Sequence, residues 1–185
     1  MSNTLRYNNT IPGNIYYGGA AVQNVYYNNT KVWSAIPLSG TLAVGNLITF
    51  DNKTWRVFHN TGNQWYLALS NIVENIQFGR NDVYSGSTLA NRCASYLNNF
   101  SASAQSFMQN VTVNGVTAKV FVPSFEQVIG GFSYYNSEAS RICQLNGKNS
   151  WWWTSSAYGV STEGTLGRIT STTRLGFRPH ICITF

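Results

Sequence analysis

Three consecutive tryptophans, Trp151 to Trp153, constrain this chain more than any other stretch of its sequence. Successive side chains of a β-strand point to opposite faces of a sheet, so the three indole rings cannot all enter one core. At least one ring must leave the core or meet a second packed surface. We therefore expect the C-terminal part of the chain, residues 151–185, to close the fold with aromatic side chains packed on both faces of a strand.

Composition indicates a globular, β-rich protein with one domain of ordinary size and a small appendage. The chain has 185 residues, of which 15% are aromatic and 10% are charged, so it is long enough to bury a core and too aromatic for disorder. No apolar run approaches the roughly 20 residues of a membrane span, and residues 1–14 lack the pattern of a secretory signal. We expect a protein without a membrane span that folds in the cytoplasm where it is made.

Charge and cysteine usage argue against two common classes of protein. The net charge of +6 comes from basic residues that occur singly between Arg6 and Arg178, so no cluster marks a nucleic-acid surface and no such partner is predicted. Cys93, Cys143 and Cys182 are an odd number without close spacing. Neither a disulfide framework nor a CxxC site is available, and buried free thiols are expected.

A ten-residue repeat occupies the start of the chain. Each unit is an aliphatic-aromatic strand followed by Asn-Asn or Gly-Gly, dipeptides that accept the positive φ of tight turns. The units lie at residues 5–10, 15–20 and 25–30. We predict a small β-meander ending at residues 31–33, which is either a separate module that needs a partner or the edge of the main sheet. Pro37 and Gly40 mark a boundary between an N-terminal anchoring module, residues 1–37, and a main domain, residues 38–185.

The main domain is predicted to be α+β, with a mainly antiparallel sheet and two or three short helices. The expected elements are a hairpin at 47–58 around Asp51-Asn52-Lys53, a strand at 64–70, helices at 87–99 and 102–109, a hairpin at 111–122 around Asn114-Gly115, a helical turn at 124–129, a helix at 137–145 and three final strands around Trp151, at 167–170 and at 176–185. The first helix has the clearest apolar face. We expect Gly130-Gly131 and Gly147 to end the last two helical segments.

From Leu47 onward, the order of motifs resembles a bacterial and phage domain of unknown function. Members of that family end in Trp-Trp-Leu-Arg-Ser-Pro followed by Gly-Val-Arg-Pro-Ala. The matching segments here are Thr54 to Val57, Ile72 to Gly79, Tyr96 to Asn98 with Phe100, Lys119 to Glu126, Trp152 to Ser156, and Gly176 to Pro179. They cover about three quarters of the chain in the family's order. Thr154 stands where the family usually has arginine, so any charge role of that arginine is absent.

This family resembles the C-type-lectin fold, in the branch that includes formylglycine-generating enzymes and variable receptor-binding proteins of phages. The likeness implies a compact α+β domain whose helical, loop-rich middle is closed by a terminal strand carrying Gly-Phe-Arg. Residues 25–33 also resemble the Tyr-x-Asn-Gly-Thr-Lys-Val-Trp hairpin common in phage tail and other virion proteins. Together the resemblances imply a virion module that docks by its N-terminus and displays a lectin-like domain.

Residues with catalytic or metal-binding chemistry do not cluster in the sequence. His59 and His180 are far apart and have no carboxylate or cysteine at metal-ligand spacing, so structural or exposed roles are expected. No two of the six acids are nominated as a glycosidase pair. The calcium-binding Glu-Pro-Asn, Gln-Pro-Asp and Trp-Asn-Asp motifs of sugar-binding C-type lectins do not occur. Cys93 and Cys143, on predicted helices with apolar neighbours, are expected to be packed thiols. We predict no cofactor, no metal site and no catalytic residue.

Arg178 has two interpretations. In the structural one its guanidinium stacks on a tryptophan ring and bonds backbone carbonyls, so that it fastens the last strand to the core. In the functional one it meets an acidic ligand. We favour the first and define a clasp of four residues that closes the domain, namely Trp152, Trp153, Phe177 and Arg178. One of the paired tryptophans should be core, and the other should pack under the loop at 159–173.

Aromatic and amide residues of the loops nominate a ligand-contacting surface. Rigid amphipathic rings beside adaptable hydrogen-bonding groups suit protein or sugar ligands, although an ordinary polar β-surface has the same composition. The candidates for ligand contact are Trp151, Tyr158, Tyr134, Tyr135 and Asn136. Trp151, with Tyr158, is expected to face a partner, so that Trp151→Ala would weaken binding while leaving the melting temperature nearly unchanged.

The sequence therefore predicts a non-enzymatic phage virion protein, tail-tip or fibre associated, that binds a host-surface glycan or protein. Its other predicted partners are virion subunits, which contact the N-terminal module, and further copies of itself. One alternative is a capsid decoration or head-fibre protein that makes only protein contacts. Another is a formylglycine-generating-like or carbohydrate-active enzyme.

Overall fold

A computed structural model describes residues 38–184 in full, together with the backbone of four N-terminal strands. Strand β1 (Ile15–Tyr17) pairs with β2 (Ala20–Val22), and β3 (Asn24–Tyr27) pairs with β4 (Thr30–Ser34), both antiparallel. These strands form two separate two-stranded sheets, so the predicted single meander is corrected to two hairpins. The reason is that residues 20–22, which follow the Gly-Gly pair of the second repeat unit, form a partner strand of their own. The first repeat unit lies outside the described residues.

The main part of the chain contains short strands and three short α-helices. The strands are β5 (Leu38–Ser39), β6 (Leu47–Phe50), β7 (Lys53–Asn60), β8 (Trp65–Leu69), β9 (Glu74–Gln77), β10 (Met108–Gln109), β11 (Val111–Val113), β12 (Val116–Ala118), β13 (Val120–Phe121), β14 (Gln144–Leu145), β15 (Lys148–Asn149), β16 (Trp152–Trp153), β17 (Tyr158–Val160), β18 (Leu166–Arg168), β19 (Arg174–Phe177) and β20 (His180–Ile183). The helices are α1 (Thr88–Tyr96), α2 (Ala102–Phe107) and α3 (Glu138–Arg141). The predicted α+β class with mostly antiparallel sheets is confirmed. None of the helices in the described part of the chain is long and apolar enough to cross a bilayer.

Two sheets carry the fold. The larger has seven strands in the order β10-β20-β8-β7-β6-β5, with β13 also paired to β20, and it curls into a half-barrel. The smaller has five strands in the order β18-β17-β16-β19-β9, antiparallel except for β16 beside β19. Consecutive strands β19 and β20 belong to different sheets, so Arg178 and Pro179 form the crossover between them. The predicted single strand at 176–185 is thus wrong, because Pro179 has no N–H for a ladder and the chain changes sheet there.

The paired tryptophans divide the interior into two hydrophobic clusters. Trp152 and Trp153 are both fully buried and point to opposite faces of β16. Trp153 belongs to the larger cluster with Trp55, Phe78 and Phe177, and its Nε1–H donates to the Ile76 carbonyl at 2.9 Å. Trp152 belongs to the second cluster, described below. The expected second packed surface is therefore a second core, and neither ring is a mere support for the 159–173 loop.

Local signals in the sequence placed several elements correctly. Ser87 caps α1, since its side chain accepts a hydrogen bond from Ala90 N–H at 3.0 Å. The Asp51-Asn52 pair, with φ of 50° and 59°, forms the turn between β6 and β7. The Asn114-Gly115 pair likewise connects β11 and β12. These turns agree with the preference of Asn, Asp and Gly for the left-handed region.

The two later helices differ from the prediction. α3 has only four residues, and β14 and β15 form a hairpin around Asn146-Gly147, both at positive φ. The signal read as a helix stop is therefore a hairpin turn, and Cys143 lies in a loop rather than on a helix. The segment at 124–129 also continues past the expected stop, because a π-helical turn spans Gln127–Gly131.

Gly159 and Gly176 allow β16, β17 and β19 to approach one another closely. This packing predicts that adding a side chain at either position lowers the stability of the fold. A Cβ at Gly176 would lie 2.6 Å from Ile72 Cγ2 and 2.7 Å from the Trp151 carbonyl oxygen. Because one of these atoms is backbone, Gly176→Ala should lower the free energy of unfolding by about 2 kcal/mol in urea titrations. Gly167→Ala on β18 is the matched control, since no heavy atom lies within 4 Å of its Cβ position. Equal losses in the two variants would contradict this packing.

Candidate functional site: a polar recess over a buried arginine

The crossover between the two sheets buries a cation. Arg178 is only 3% exposed. Its Nε–H donates to the Leu69 carbonyl at 3.0 Å, and its Cζ lies 5.3 Å from the ring centre of Trp152 and 5.8 Å from that of Tyr135. The structural interpretation of Arg178 thus matches this geometry, with Trp152 as the stacking ring. One backbone hydrogen bond and two cation–π contacts offset part of the desolvation cost of the guanidinium.

Part of that guanidinium has no partner. Nη1 of Arg178 is buried and makes no hydrogen bond within the described residues. Ion pairs in this part of the chain join Lys53 to Asp51, Arg92 to Glu74, and Arg168 to Asp82, and none involves Arg178. An unneutralised charge in a low-dielectric core projects a positive potential onto nearby surface.

His180 continues the buried polar chain. It is fully buried, with its Nδ1 2.9 Å from the Arg178 carbonyl and its Nε2 2.8 Å from the Tyr135 hydroxyl. A carbonyl only accepts, so Nδ1 carries the proton and Nε2 accepts from the Tyr135 O–H. Burial, with the nearby charge of Arg178, holds the pKa of His180 well below 6.5. The imidazole is therefore a neutral structural link, in agreement with the expected structural role.

Aromatic rings surround His180 and complete the second cluster. A bulge in β7 shifts the register between Val57 and His59, so that Phe58 turns away from the larger cluster. The ring centre of Phe58 lies 5.2 Å from that of His180, and the ring centres of Phe121 and Trp152 each lie 5.9 Å from that of His180. Such a shell holds the imidazole, and with it Tyr135, in one orientation.

A surface recess lies over this buried network. Its volume is about 600 Å³, within the range of small-ligand sites. The lining residues are Leu47, Thr54, Arg56, Ser70, Asn71, Tyr134, Ala139, Ile142, Cys143 and Gln144. We call it the Tyr134 recess. The Tyr134 ring lies 6.1 Å from the Tyr135 ring, whose centre is 5.8 Å from Arg178 Cζ, so the recess lies close to the buried charge.

The Tyr134 recess presents basic, amide and hydroxyl groups. Among the described residues that line it, Arg56 alone is charged, and its Cζ lies 5.4 Å from the ring centre of Tyr134. Arg56 Nη1 donates to the Gly45 carbonyl at 2.5 Å. Asn71 and Gln144 are exposed and form a backbone bridge, while the Ile72 N–H donates to the Gln144 carbonyl at 2.8 Å. The backbone is thus occupied, Gln144 Nε2 donates to Asn149 Oδ1 at 3.3 Å, and the Asn71 amide has no hydrogen-bond partner among the described residues.

The five residues nominated for ligand contact do not form one surface. Tyr134 lines the recess and Asn136 is exposed beside it in sequence. Tyr135 has 0% exposure and is held by His180, so its assignment to a ligand-contacting surface is corrected. Trp151 packs partly buried against the larger cluster, whereas Tyr134 packs against the second. Because Trp151 packs against the larger cluster, we now expect its removal to lower the melting temperature, contrary to the expectation from the sequence.

Tyr158 and Thr154 belong to a different region. The Tyr158 ring lies 4.5 Å from that of Phe125, and Tyr158 N–H donates to Thr154 Oγ1 at 3.3 Å. Thr154 is fully buried, and its hydroxyl also donates to the Tyr158 carbonyl at 3.0 Å. Thr154 thus organises the turn between β16 and β17.

The cysteines show no activation. Burial raises the pKa of Cys93 to about 12 and that of Cys182 to about 11, so both are protonated thiols near neutral pH. Cys143 is buried, with its sulfur 3.5 Å from the Ser70 carbonyl. Within the described residues no three His, Cys, Asp or Glu side chains are grouped so as to hold a metal ion.

Sequence reasoning missed most of the Tyr134 recess. Arg56 and Asn71 lie in or beside strands that are far in sequence from the aromatic loops nominated for ligand contact, and Gln144 was predicted to lie on a helix. The available signal was Asn146-Gly147, a hairpin dipeptide. Reading it as a turn would have placed Gln144 on a strand.

The hydrogen bond between Tyr135 and His180 makes a stability prediction. Tyr135→Phe leaves the buried Nε2 of His180 without its donor, so the free energy of unfolding should fall by about 1–3 kcal/mol. Tyr134→Phe is the matched control, because that half-buried hydroxyl makes no comparable buried bond. Urea titrations of both variants measure the difference. Equal stability of the two would show that the bond contributes nothing.

The depressed pKa of His180 makes a pH prediction. The unfolded chain takes up a proton on this histidine below about pH 6.5 while the native state does not, so the unfolded state binds more protons and stability falls as pH falls. His180 alone should contribute a slope of up to about 1.4 kcal/mol per pH unit below that point. Burial also lowers the pKa of His59, so the measurement uses the His59→Gln variant to remove that second contribution. Denaturant titrations of this variant between about pH 7 and about pH 5 then measure the contribution of His180 to the slope. An NMR titration that protonates native His180 near its ordinary pKa would contradict the assignment.

Comparisons with known proteins add no relative to this picture. No family model matches the chain, and neither a curated protein nor a solved structure matches it. The family resemblance of residues 47–179 therefore stays a prediction, and function is inferred from the residues and geometry of the chain itself.

Proposed function

We propose that this chain is a phage virion adhesion protein whose main domain binds a component of the host surface through the Tyr134 recess. The observation that carries the proposal is the recess itself, in which a tyrosine, an arginine, exposed amides and hydroxyls lie over a rigid buried network. Binding sites commonly combine such groups on a firm scaffold. The protein acts by binding and not by catalysis.

The finer fold assignment belongs to the same proposal. We assign the main domain to the C-type-lectin-like class, in the branch of phage receptor-binding domains. Two features support this. The helices α1 to α3 lie between the opening and closing strands, and the chain ends in strands that carry Gly176-Phe177-Arg178 into the core.

The N-terminal module has a separate role in the proposal. Residues 1–37 dock the protein to neighbouring virion subunits at the tail tip or in a fibre, where several copies assemble. Two hairpins of three to five residues per strand support this, because isolated two-stranded sheets are marginally stable and gain from a partner.

Binding of the protein to bacterial cells tests the proposal. The full chain, labelled and presented as a tetramer on streptavidin, should bind cells of a susceptible strain. Asn71→Ala with Gln144→Ala should weaken that binding at least about tenfold, since two exposed side-chain donors and acceptors leave the recess. Asn63→Ala with Gln77→Ala removes two exposed amides elsewhere and should change little.

Two results would overturn it. Failure of the tetramer to bind any strain that the phage infects removes the adhesion role. Localisation of the protein on the capsid by imaging of virions would favour the decoration role instead.

A further inference from the structure

We infer that the Tyr134 recess is specific for an acidic glycan, whose carboxylate or phosphate group is held by Arg56 under the positive potential of Arg178. This inference rests on the proposed function and names the class of ligand. Four observations support it, concerning charge, donor geometry, backbone pairing and the kind of lining.

The charge around the recess has one sign. Arg56 lines it, the buried Arg178 stacks on Tyr135, whose ring lies 6.1 Å from that of Tyr134, and no acidic residue is among the described residues that line it. Glu138, at the exposed start of α3, precedes the lining residue Ala139 but does not line the recess itself. A buried cation without a carboxylate partner favours an anion that arrives from outside.

Arg56 has donors in place for that anion. Its Nη1 bonds the Gly45 carbonyl, and its Cζ lies over the Tyr134 ring at 5.4 Å. These contacts fix the plane of the guanidinium, while its other N–H groups bond no described residue. A planar guanidinium fixed in this way suits bidentate contact with a carboxylate or phosphate.

The pairing of the backbone favours a glycan over an acidic peptide. Asn71 and Gln144 form a parallel bridge, and the Gln144 carbonyl accepts from Ile72 N–H. An extended peptide therefore finds no free strand edge at this point to pair with. The polar groups left in the lining are the hydroxyls of Thr54 and Ser70, the Asn71 amide and the Gln144 Oε1, and they lie beside the Tyr134 ring. Such a set matches sugar hydroxyls and the apolar face of a sugar ring.

Titration calorimetry with three polymers tests the inference. The probes are polygalacturonate, which carries carboxylates, a glycerol-phosphate teichoic acid, which carries phosphates, and neutral dextran. We expect binding to at least one acidic polymer, weakened by added salt, and none to dextran. The two acidic arms decide which anion the recess takes.

Arginine variants locate the site. Arg56→Gln should weaken binding of the acidic polymer roughly tenfold. Arg174→Gln is the matched control, because Arg174 is exposed on β19 and also donates to a backbone carbonyl, that of Asn75 at 2.6 Å. It should bind within about twofold of the parent protein. Arg178→Met keeps a long side chain against Trp152 but removes the buried charge, and it too should bind more weakly. Circular dichroism melting establishes that each variant folds.

The outcomes separate this inference from the function on which it rests. Equal binding of dextran, equal effects of Arg56→Gln and Arg174→Gln, or no binding of either acidic polymer would overturn the inference. If cells bind but acidic polymers do not, adhesion stands and the ligand class is wrong. If Arg56-dependent polymer binding occurs without cell binding, the ligand class stands and the adhesion role is wrong.

Discussion

The burial of Arg178 at the crossover is the constraint on which the rest of this structure depends. The chain leaves the smaller sheet after Phe177 and enters the larger one at His180, so only two residues span the gap. Pro179 fixes the path of the backbone, and Arg178 turns its guanidinium inward between the carbonyl of Leu69 and the ring of Trp152. Because a buried cation costs several kcal/mol unless its contacts are well placed, Trp152 and β8 must hold one arrangement. Because Trp152 and β8 are held in one arrangement, the Tyr134 recess that lies over them is rigid as well.

The same constraint explains why the paired tryptophans divide the core. Trp152 must face the crossover to stack on Arg178, so alternation along β16 sends Trp153 to the other face, where Phe78 contacts it at 5.5 Å between ring centres. A strand of two residues that buries both of its side chains needs close neighbours on both sides. Gly159 and Gly176 provide them, since a Cβ at either position would lie within 3 Å of a neighbouring heavy atom. The space beside Gly159 holds Leu175, Trp151 and Ile169, and the space beside Gly176 holds Ile72 and the Trp151 carbonyl oxygen.

Sequence reasoning reached the parts of this fold that depend on local chemistry. The Ser87 cap and the Asp51-Asn52 and Asn114-Gly115 turns each follow from a few adjacent residues, and the structure has them. Where two local signals competed, the wrong one was chosen, as when Gly147 was interpreted as a helix stop rather than half of a hairpin turn. The recess was beyond reach because it depends on tertiary pairing. Nothing in the sequence around Arg56 indicates that Gln144 will lie near it, and the burial of Tyr135 next to half-exposed Tyr134 depends on a histidine 45 positions away.

The buried guanidinium of Arg178 has no partner for its Nη1 among the described residues. This charge is informative about function because stability alone does not require it. A methionine at 178 would fill similar space against Trp152 and would avoid the desolvation of a guanidinium, and such replacements are often neutral or stabilising. The His180 part of the polar network would survive the exchange, since His180 bonds the backbone carbonyl of residue 178, whereas the Leu69 carbonyl would lose the Nε–H donor of Arg178. What methionine would not supply is positive potential beneath Tyr134 and Cys143. The arginine therefore contributes a positive potential to the recess in addition to its packing on Leu69 and Trp152, and the proposed ligand of negative charge is the partner that would use it.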